Sequence, residues 1–241
     1  MSLLGFGPAE LAAITAIMAV ATVIQMAVGV GLSLVMIPLL AIISPSLVPG
    51  PAIASAFVVM LAMVRGNSHL IDRAEIGWGA GGLLIGTAIG VLALLAIDPT
   101  HLPRLFGGLI LLAVGLSLSG LHLALSARNI AITSVISGFM GGMSGIHGPL
   151  IGVVYAGQNP AKVRATLGLY WIVAYAMLIA MHVAAGRFGF ADLGRAALLV
   201  PGILIGTWLA PSAVALMDRE RMRIGLLAIA VVGALVLLVR G

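Results

Sequence analysis

The chain has 241 residues, 62% of them hydrophobic and 8% charged, with a net charge of +5. A soluble domain carries about 25% charged residues, and the mean hydropathy here is +1.25. These values exclude a soluble globular enzyme: apolar stretches recur along the whole length, so the bilayer is the solvent for most of the protein. The 12 basic residues are scattered over loops with few aromatic residues beside them. They read as interfacial anchors and topology signals rather than as a nucleic-acid surface. Cysteine is absent, which removes disulfides, thiolate metal sites and dithiol chemistry. No cofactor or metal is called for.

In chain order, Met1-Ser2-Leu3-Leu4 lacks the basic start of a signal peptide, so the first apolar stretch is expected to be a retained span. Leu11–Ile43 is too long for one straight helix and Pro51–Val64 is short for a full one, so some part of Leu11–Val64 is expected to be broken or re-entrant. Ile76–Ile97, Leu102–Leu125, Ala131–Tyr155, Val163–Ala185 and Leu193–Leu216 follow as apolar segments. The last span, Ile224–Val239, is flanked by Arg223 and Arg240, whose side chains can snorkel to the interface. The expected fold is an all-α integral membrane protein of about eight transmembrane segments, some broken or re-entrant.

The chain also repeats itself. Gly31, Ser33, Pro38, Pro49, Ala54 and Ser55 return 111 residues later as Gly142, Ser144, Pro149, Pro160, Ala165 and Thr166. Gly82–Thr87 matches Gly202–Thr207 at an offset of 120, and Gly107 and Gly115 match Gly225 and Gly233 at 118. Ordered matches with drifting offsets point to duplication, with a first repeat over residues 1–126 and a second over 127–241, each of four helices. Four spans per half leave the repeats in the same orientation, whereas three spans plus a re-entrant hairpin invert them. Counting basic residues does not decide: with four spans per half they divide six and six between the two sides. Glycines at i, i+4 and i+8 (Gly82, Gly86, Gly90; Gly138, Gly142; Gly202, Gly206) mark faces where helices approach closely in lipid.

Two constellations could carry chemistry. One is Gly29-Val30-Gly31-Leu32-Ser33 ending at Pro38; the other is Gly141–Pro149, containing Ser144, Gly145, His147 and Gly148. Glycine permits irregular backbone and proline removes a helix donor. Freed N–H groups at membrane depth need protein, water or a ligand, and a helix start beside such a break suits an anion. Gly29, Pro38, Gly145 and Pro149 are therefore read as structural helix breaks. Gln25, Gly31, Ser33, Ser55, Gly142, Ser144, His147, Gly148, Arg164 and Thr166 are read as substrate-binding candidates. His147, lying in the break itself, could donate to an oxyanion or take up a proton with it. Arg164 could grip a doubly charged oxyanion with two N–H groups, or face water in a loop with Lys162. His182 and Gln158 read as structural or interfacial, and His69, His101 and His122 as solvated.

The run Gly138-Phe-Met-Gly-Gly-Met-Ser-Gly-Ile-His-Gly-Pro-Leu150, followed by Tyr155 and by Gln158-Asn-Pro-Ala-Lys-Val-Arg-Ala-Thr166, resembles the second-half signature of the sulfite exporter TauE/SafE family. That signature runs approximately G-x-x-S-G-x-x-G-I-G-G-P-P, then a loop leading to R-A-T. Gly29-x-Gly31-x-Ser33 through Pro38-Leu39 resembles its first half. Leu32, Ser33, His147 and Leu150 depart from the family pattern within the presumed site. The resemblance implies a multi-span secondary carrier, most simply an exporter, for sulfite, thiosulfate, a sulfonate or a related organic anion. A bacterial inner membrane is the expected location. The partners expected are the small anion and the lipid bilayer, with proton coupling and a homodimer as open options and no nucleic acid.

No enzyme constellation stands: H-E-x-x-H, a Walker lysine and G-x-S-x-G are all missing. Acidic residues lie nearly all at segment ends (Asp72, Glu75, Asp98, Asp192, Asp218, Glu220), so proton coupling is expected to fall to a histidine or to the substrate. The rival readings are a non-transporting assembly or scaffold protein and an intramembrane enzyme.

Overall fold

The computed structural model describes residues 4–64, 68–121, 123–147, 149–155, 157–216 and 219–240. These form eleven α-helices joined by short turns, with no β-strand among the described residues. The helices are α1 (Pro8–Val28), α2 (Leu32–Ile43), α3 (Gly50–Val64), α4 (Arg73–Leu95), α5 (Leu102–Leu118), α6 (Ala127–Ser144), α7 (Pro149–Val154), α8 (Pro160–Ala184), α9 (Phe190–Ala197), α10 (Val200–Leu216) and α11 (Arg219–Arg240). Local chemistry sets the ends. Asp72 accepts from the Ala74 and Glu75 amides at the start of α4. Ser126 caps α6 and Asn159 caps α8 ahead of Pro160, satisfying donors that a helix start leaves unpaired.

Five stretches are long and apolar enough to cross a membrane: Pro8–Val28, Arg73–Leu95, Pro99–Leu118, Pro160–Ala184 and Arg221–Val239. The pair α9 and α10, bent by 47°, brings the number to six when it is counted as one span. Outward-facing side chains are apolar: Leu92, Leu204 and Trp208 are exposed by 66%, 65% and 79%. Polar side chains such as Gln25, Ser134 and His182 are buried. That inside-out pattern belongs to a protein solvated by lipid.

Leu11–Val64 is broken, into α1, α2 and α3. The breaks fall at Gly29–Gly31 and at Ser44–Pro49, not at Pro38, which sits inside an uninterrupted α2. A single proline costs one backbone bond, whereas Gly29 and Gly31 take φ +89° and +118°, which no L residue adopts comfortably. Ala131–Tyr155 also divides, with α6 closing at Gly145 and Pro149 opening α7.

The glycine rows define how helices run past one another. A Cβ at Gly82 would meet Ser134 at 3.0 Å, one at Gly86 would meet the Phe139 amide at 2.9 Å, and one at Gly90 would meet Gly142 at 3.0 Å. Residue numbers rise together, so α4 and α6 lie side by side in the same direction. Gly202 against Met18 and Gly206 against Thr22, each at 2.6 Å, give the same for α10 and α1. Gly31 lies against Leu226 and Gly233 against Pro38, so α2 runs with α11. In contrast, Gly107 touches Leu238 while Arg223 bonds the Ser117 carbonyl, so α5 and α11 run in opposite directions. Such backbone-close contacts supply dispersion where lipid gives no hydrophobic drive.

Candidate functional site

Gln25 holds the first break together. Its Nε2 donates to the Gly29 carbonyl at 2.9 Å, and its Oε1 accepts the Leu32 amide at 3.0 Å. One side chain thus serves the last carbonyl region of α1 and the first amide of α2. Trp171 Nε1 also donates to the Gly29 carbonyl, at 3.2 Å. The chain then turns back along α11, which places the start of α2, with its partial positive charge, inside the protein.

The second break arrives at the same place. Ser33 Oγ donates to the His147 carbonyl at 3.3 Å, and Tyr175 interacts with the Ser33 hydroxyl. Gln25, Val30, Gly31, Ser33, His147, Trp171 and Tyr175 line one small pocket there, of about 10 Å³. That is room for about one water molecule. The space is too small for an oxyanion.

His147 is 3% exposed, and neither ring nitrogen makes a well-formed hydrogen bond, although the Gly145 backbone lies beside the ring. Its ring stands edge-on to Tyr175, with centroids 4.9 Å apart, and to Trp171 at 6.0 Å. It rests on the Cα of Gly141, where a side chain would collide with the imidazole. A buried polar atom without a partner costs about 1–3 kcal/mol, so the fold holds this imidazole in place at its own expense.

The remaining predicted residues separate into neighbours and spectators. Gly145, φ +75°, closes α6 beside Ile53 and Ile37. Ser144, the repeat mate of Ser33, spends its hydroxyl on its own helix, donating to the Met140 carbonyl at 2.8 Å and accepting from the Ile146 amide. Ser55 likewise donates to the Ala52 carbonyl at 2.8 Å. Gly142 packs against α4, where a Cβ would come 2.6 Å from the Thr87 carbonyl. It does not share the pocket with Gly31. Thr166 accepts the Asp72 amide at 3.1 Å. Arg164 is half-buried in the first turn of α8, its stem near Gly29. Gly148 lies outside the described residues.

A charged cluster sits at the starts of α4 and α8. Lys162 bonds Glu75 at 2.6 Å and Asp72 at 3.1 Å, and Tyr155 donates to Glu75 at 2.8 Å. Lys162 stands in the first turn of α8 rather than in a loop and is a third exposed, whereas Glu75, at 3% exposure, is buried despite its place near a segment end. The Lys162 hydrogen bond holds the Asp72 carboxyl below its ordinary value. His182 is fully buried, with Nδ1 on the Leu178 carbonyl at 3.0 Å, while His69 and His101 are exposed.

Sequence reasoning missed Trp171 and Tyr175. They stand four residues apart on α8, just after Thr166, and such an aromatic pair at helical spacing inside a span that follows a signature loop was the available signal. Met60 of α3 was missed as well; its sulfur lies 3.7 Å from Gln25 Nε2, and an apolar residue in an apolar helix gives no signal.

Comparison with known proteins agrees with this architecture. No curated protein and no solved structure matches the chain. The family model described as Sulfite exporter TauE/SafE matches residues 14–237, a span that includes both helix breaks and the helices that surround them. The chain is thus a multi-pass membrane protein of the sulfite exporter TauE/SafE family.

Proposed function

We propose that the chain is a secondary carrier, most simply an exporter, of a small sulfur oxyanion or related organic anion, bound where the two helix breaks meet. One observation carries the reading: His147 is buried at the meeting point, without a hydrogen bond at either ring nitrogen, in the same pocket as Gly31, Leu32 and Ser33 at the start of α2. A neutral imidazole offers one donor and a protonated one offers two, and either suits an oxyanion. A proton taken up with the anion would charge this ring and couple the two fluxes. Gln25, Ser33, Gly31, Trp171 and Tyr175 complete the site, while Ser55, Gly142, Ser144, Arg164 and Thr166 shape or brace it. An inner-membrane location follows from this role.

The scaffold is read as two repeats, residues 1–126 and 127–241. Exchanging the halves turns the α1–α10 contact into the α6–α4 contact, and the α11–α2 contact into the α5–α7 contact; this supports duplication. The opposed directions of α5 and α11, which are partners under that exchange, support an axis in the membrane plane. The repeats are then inverted, and two hairpins, α1–α2 and α6–α7, enter from opposite sides and touch near their tips. With α2 and α7 as short return segments, the remaining helices give eight membrane segments, the bent pair α9–α10 counting as one. An inverted pair around a central site is one of the arrangements that support alternating access.

The test is thermal stabilisation of the purified protein by sulfite, thiosulfate, sulfonates and small carboxylates, paired with flux into proteoliposomes. Stabilisation and saturable flux for one anion class are expected. Neither effect for any of these anions sinks the reading and favours a scaffold role.

A further inference from the structure

The second helix break returns through a very short limb. α7 has 6 residues, whereas α2, the return limb of the first break, has 12. A helix as short as α7 holds too few internal bonds to define its own position. α2 packs on α1, α3, α5 and α11, while α7 packs on α5 and α6. Gly152, Val153 and Tyr155 front a cavity of about 390 Å³, so packing leaves one side of this limb open. Towards its tip, the hairpin is held to α2 by the Ser33 bond to the His147 carbonyl, which is long at 3.3 Å.

Tyr155 supplies a hold that packing does not. Its amide continues the ladder of α7 by bonding the Ile151 carbonyl, so it moves with the limb that follows His147. It is 4% exposed, and its hydroxyl donates to Glu75 Oε2 at 2.8 Å. Glu75 is fixed in turn. Its Oε1 takes Lys162 at 2.6 Å, Lys162 also bonds Asp72 at 3.1 Å, and the Asp72 amide donates to Thr166 Oγ1 at 3.1 Å. The starts of α4 and α8 thus form one platform. Tyr155 joins the hairpin to it through an ionised acceptor, the stronger class of hydrogen bond.

The first half has no counterpart. At the offset of 111, Tyr155 corresponds to Ser44 and Lys162 to Pro51; at 120, Glu75 corresponds to Arg195. The tether stands where the return limb is short, and it is missing where the limb is long enough to be held by its neighbours.

We propose that Glu75 is a positioning residue of the carrier: by accepting from Tyr155 it holds the second hairpin, and with it His147, against the first break. The proposal rests on the anion-carrier reading for its effect on transport, and on these bonds alone for its effect on the hairpin.

Both effects are measurable. Val154 of α7 is 1% exposed and is replaced by cysteine in a chain that has none. Its labelling rate with N-ethylmaleimide is then compared among backgrounds. Labelling is expected to be about tenfold faster in Tyr155→Phe and Glu75→Leu, which remove the bond, than in the parent. Glu75→Gln keeps an acceptor for the phenol and is expected to label at the parental rate. In proteoliposomes, Tyr155→Phe and Glu75→Leu are expected to raise KM for the transported anion about tenfold, with the maximal rate within about twofold. Glu75→Gln is expected to restore KM. A lower melting temperature with unchanged labelling and unchanged KM in monodisperse Tyr155→Phe would make the bond a mere brace and overturn the proposal. Glu75→Gln behaving like Glu75→Leu also overturns it, because the ion pair rather than Tyr155 would then be decisive. Faster labelling in Tyr155→Phe, with no flux in the parent, supports the tether and overturns the carrier reading instead.

Discussion

Replacing His147 by leucine should make the protein more stable and useless. The imidazole is 3% exposed and neither of its nitrogens makes a well-formed hydrogen bond. At about 1–3 kcal/mol per orphaned atom, a side chain of similar size without polar atoms removes about 2–6 kcal/mol of strain. Against this stand the lost edge contacts with Tyr175 and Trp171, about 0.5–1.5 kcal/mol each. The midpoints leave a net gain of about 2 kcal/mol, within a span of about −1 to +5 kcal/mol, read as a higher melting temperature in detergent. Anion-dependent stabilisation and flux should both vanish. A functional site that is strained for its task behaves in this way. If His147→Leu is instead less stable than the parent and still transports, the histidine is a satisfied structural residue and the site assignment fails.

Two other outcomes follow from the packing and from the charged cluster. Gly142→Val should cost about 1–3 kcal/mol or more, because a Cβ there would come 2.6 Å from the Thr87 carbonyl and 2.9 Å from the Val91 amide, atoms that move only if α4 and α6 separate. The measurement is the yield of monodisperse protein and its melting temperature; a normal value would mean that the α4–α6 contact is looser than described. The Asp72 carboxyl is held below its ordinary value, first by Lys162. A folded value below the unfolded one means that its contribution is complete above the ordinary value of 3.8 and is lost as pH falls through the folded value. Melting temperature should therefore drop below about pH 4, less so in Asp72→Asn. Because the pair is partly exposed the effect is small, and identical acid profiles for the two proteins would remove it.

Length, hydropathy and the absence of cysteine determined that this is a helical protein of the membrane, because a bilayer leaves a spanning chain few ways to pair its backbone. The paired glycine and proline positions marked where the helices break, since glycine and proline act locally and their effect is written into the residue itself. Periodic glycines at Gly82, Gly86 and Gly90 announced a close helix contact for the same reason. Which residues meet was a different matter. Ser33 and Ser144 are equivalent in sequence, yet one reaches across to His147 and the other bonds back to Met140. Gly31 and Gly142 are likewise equivalent, yet one lines the pocket and the other packs against α4. The places of Trp171, Tyr175 and Met60 at the pocket were set by how α8 and α3 pack around the breaks. Local sequence decides where a backbone can bend; only packing among distant helices decides what the bend faces.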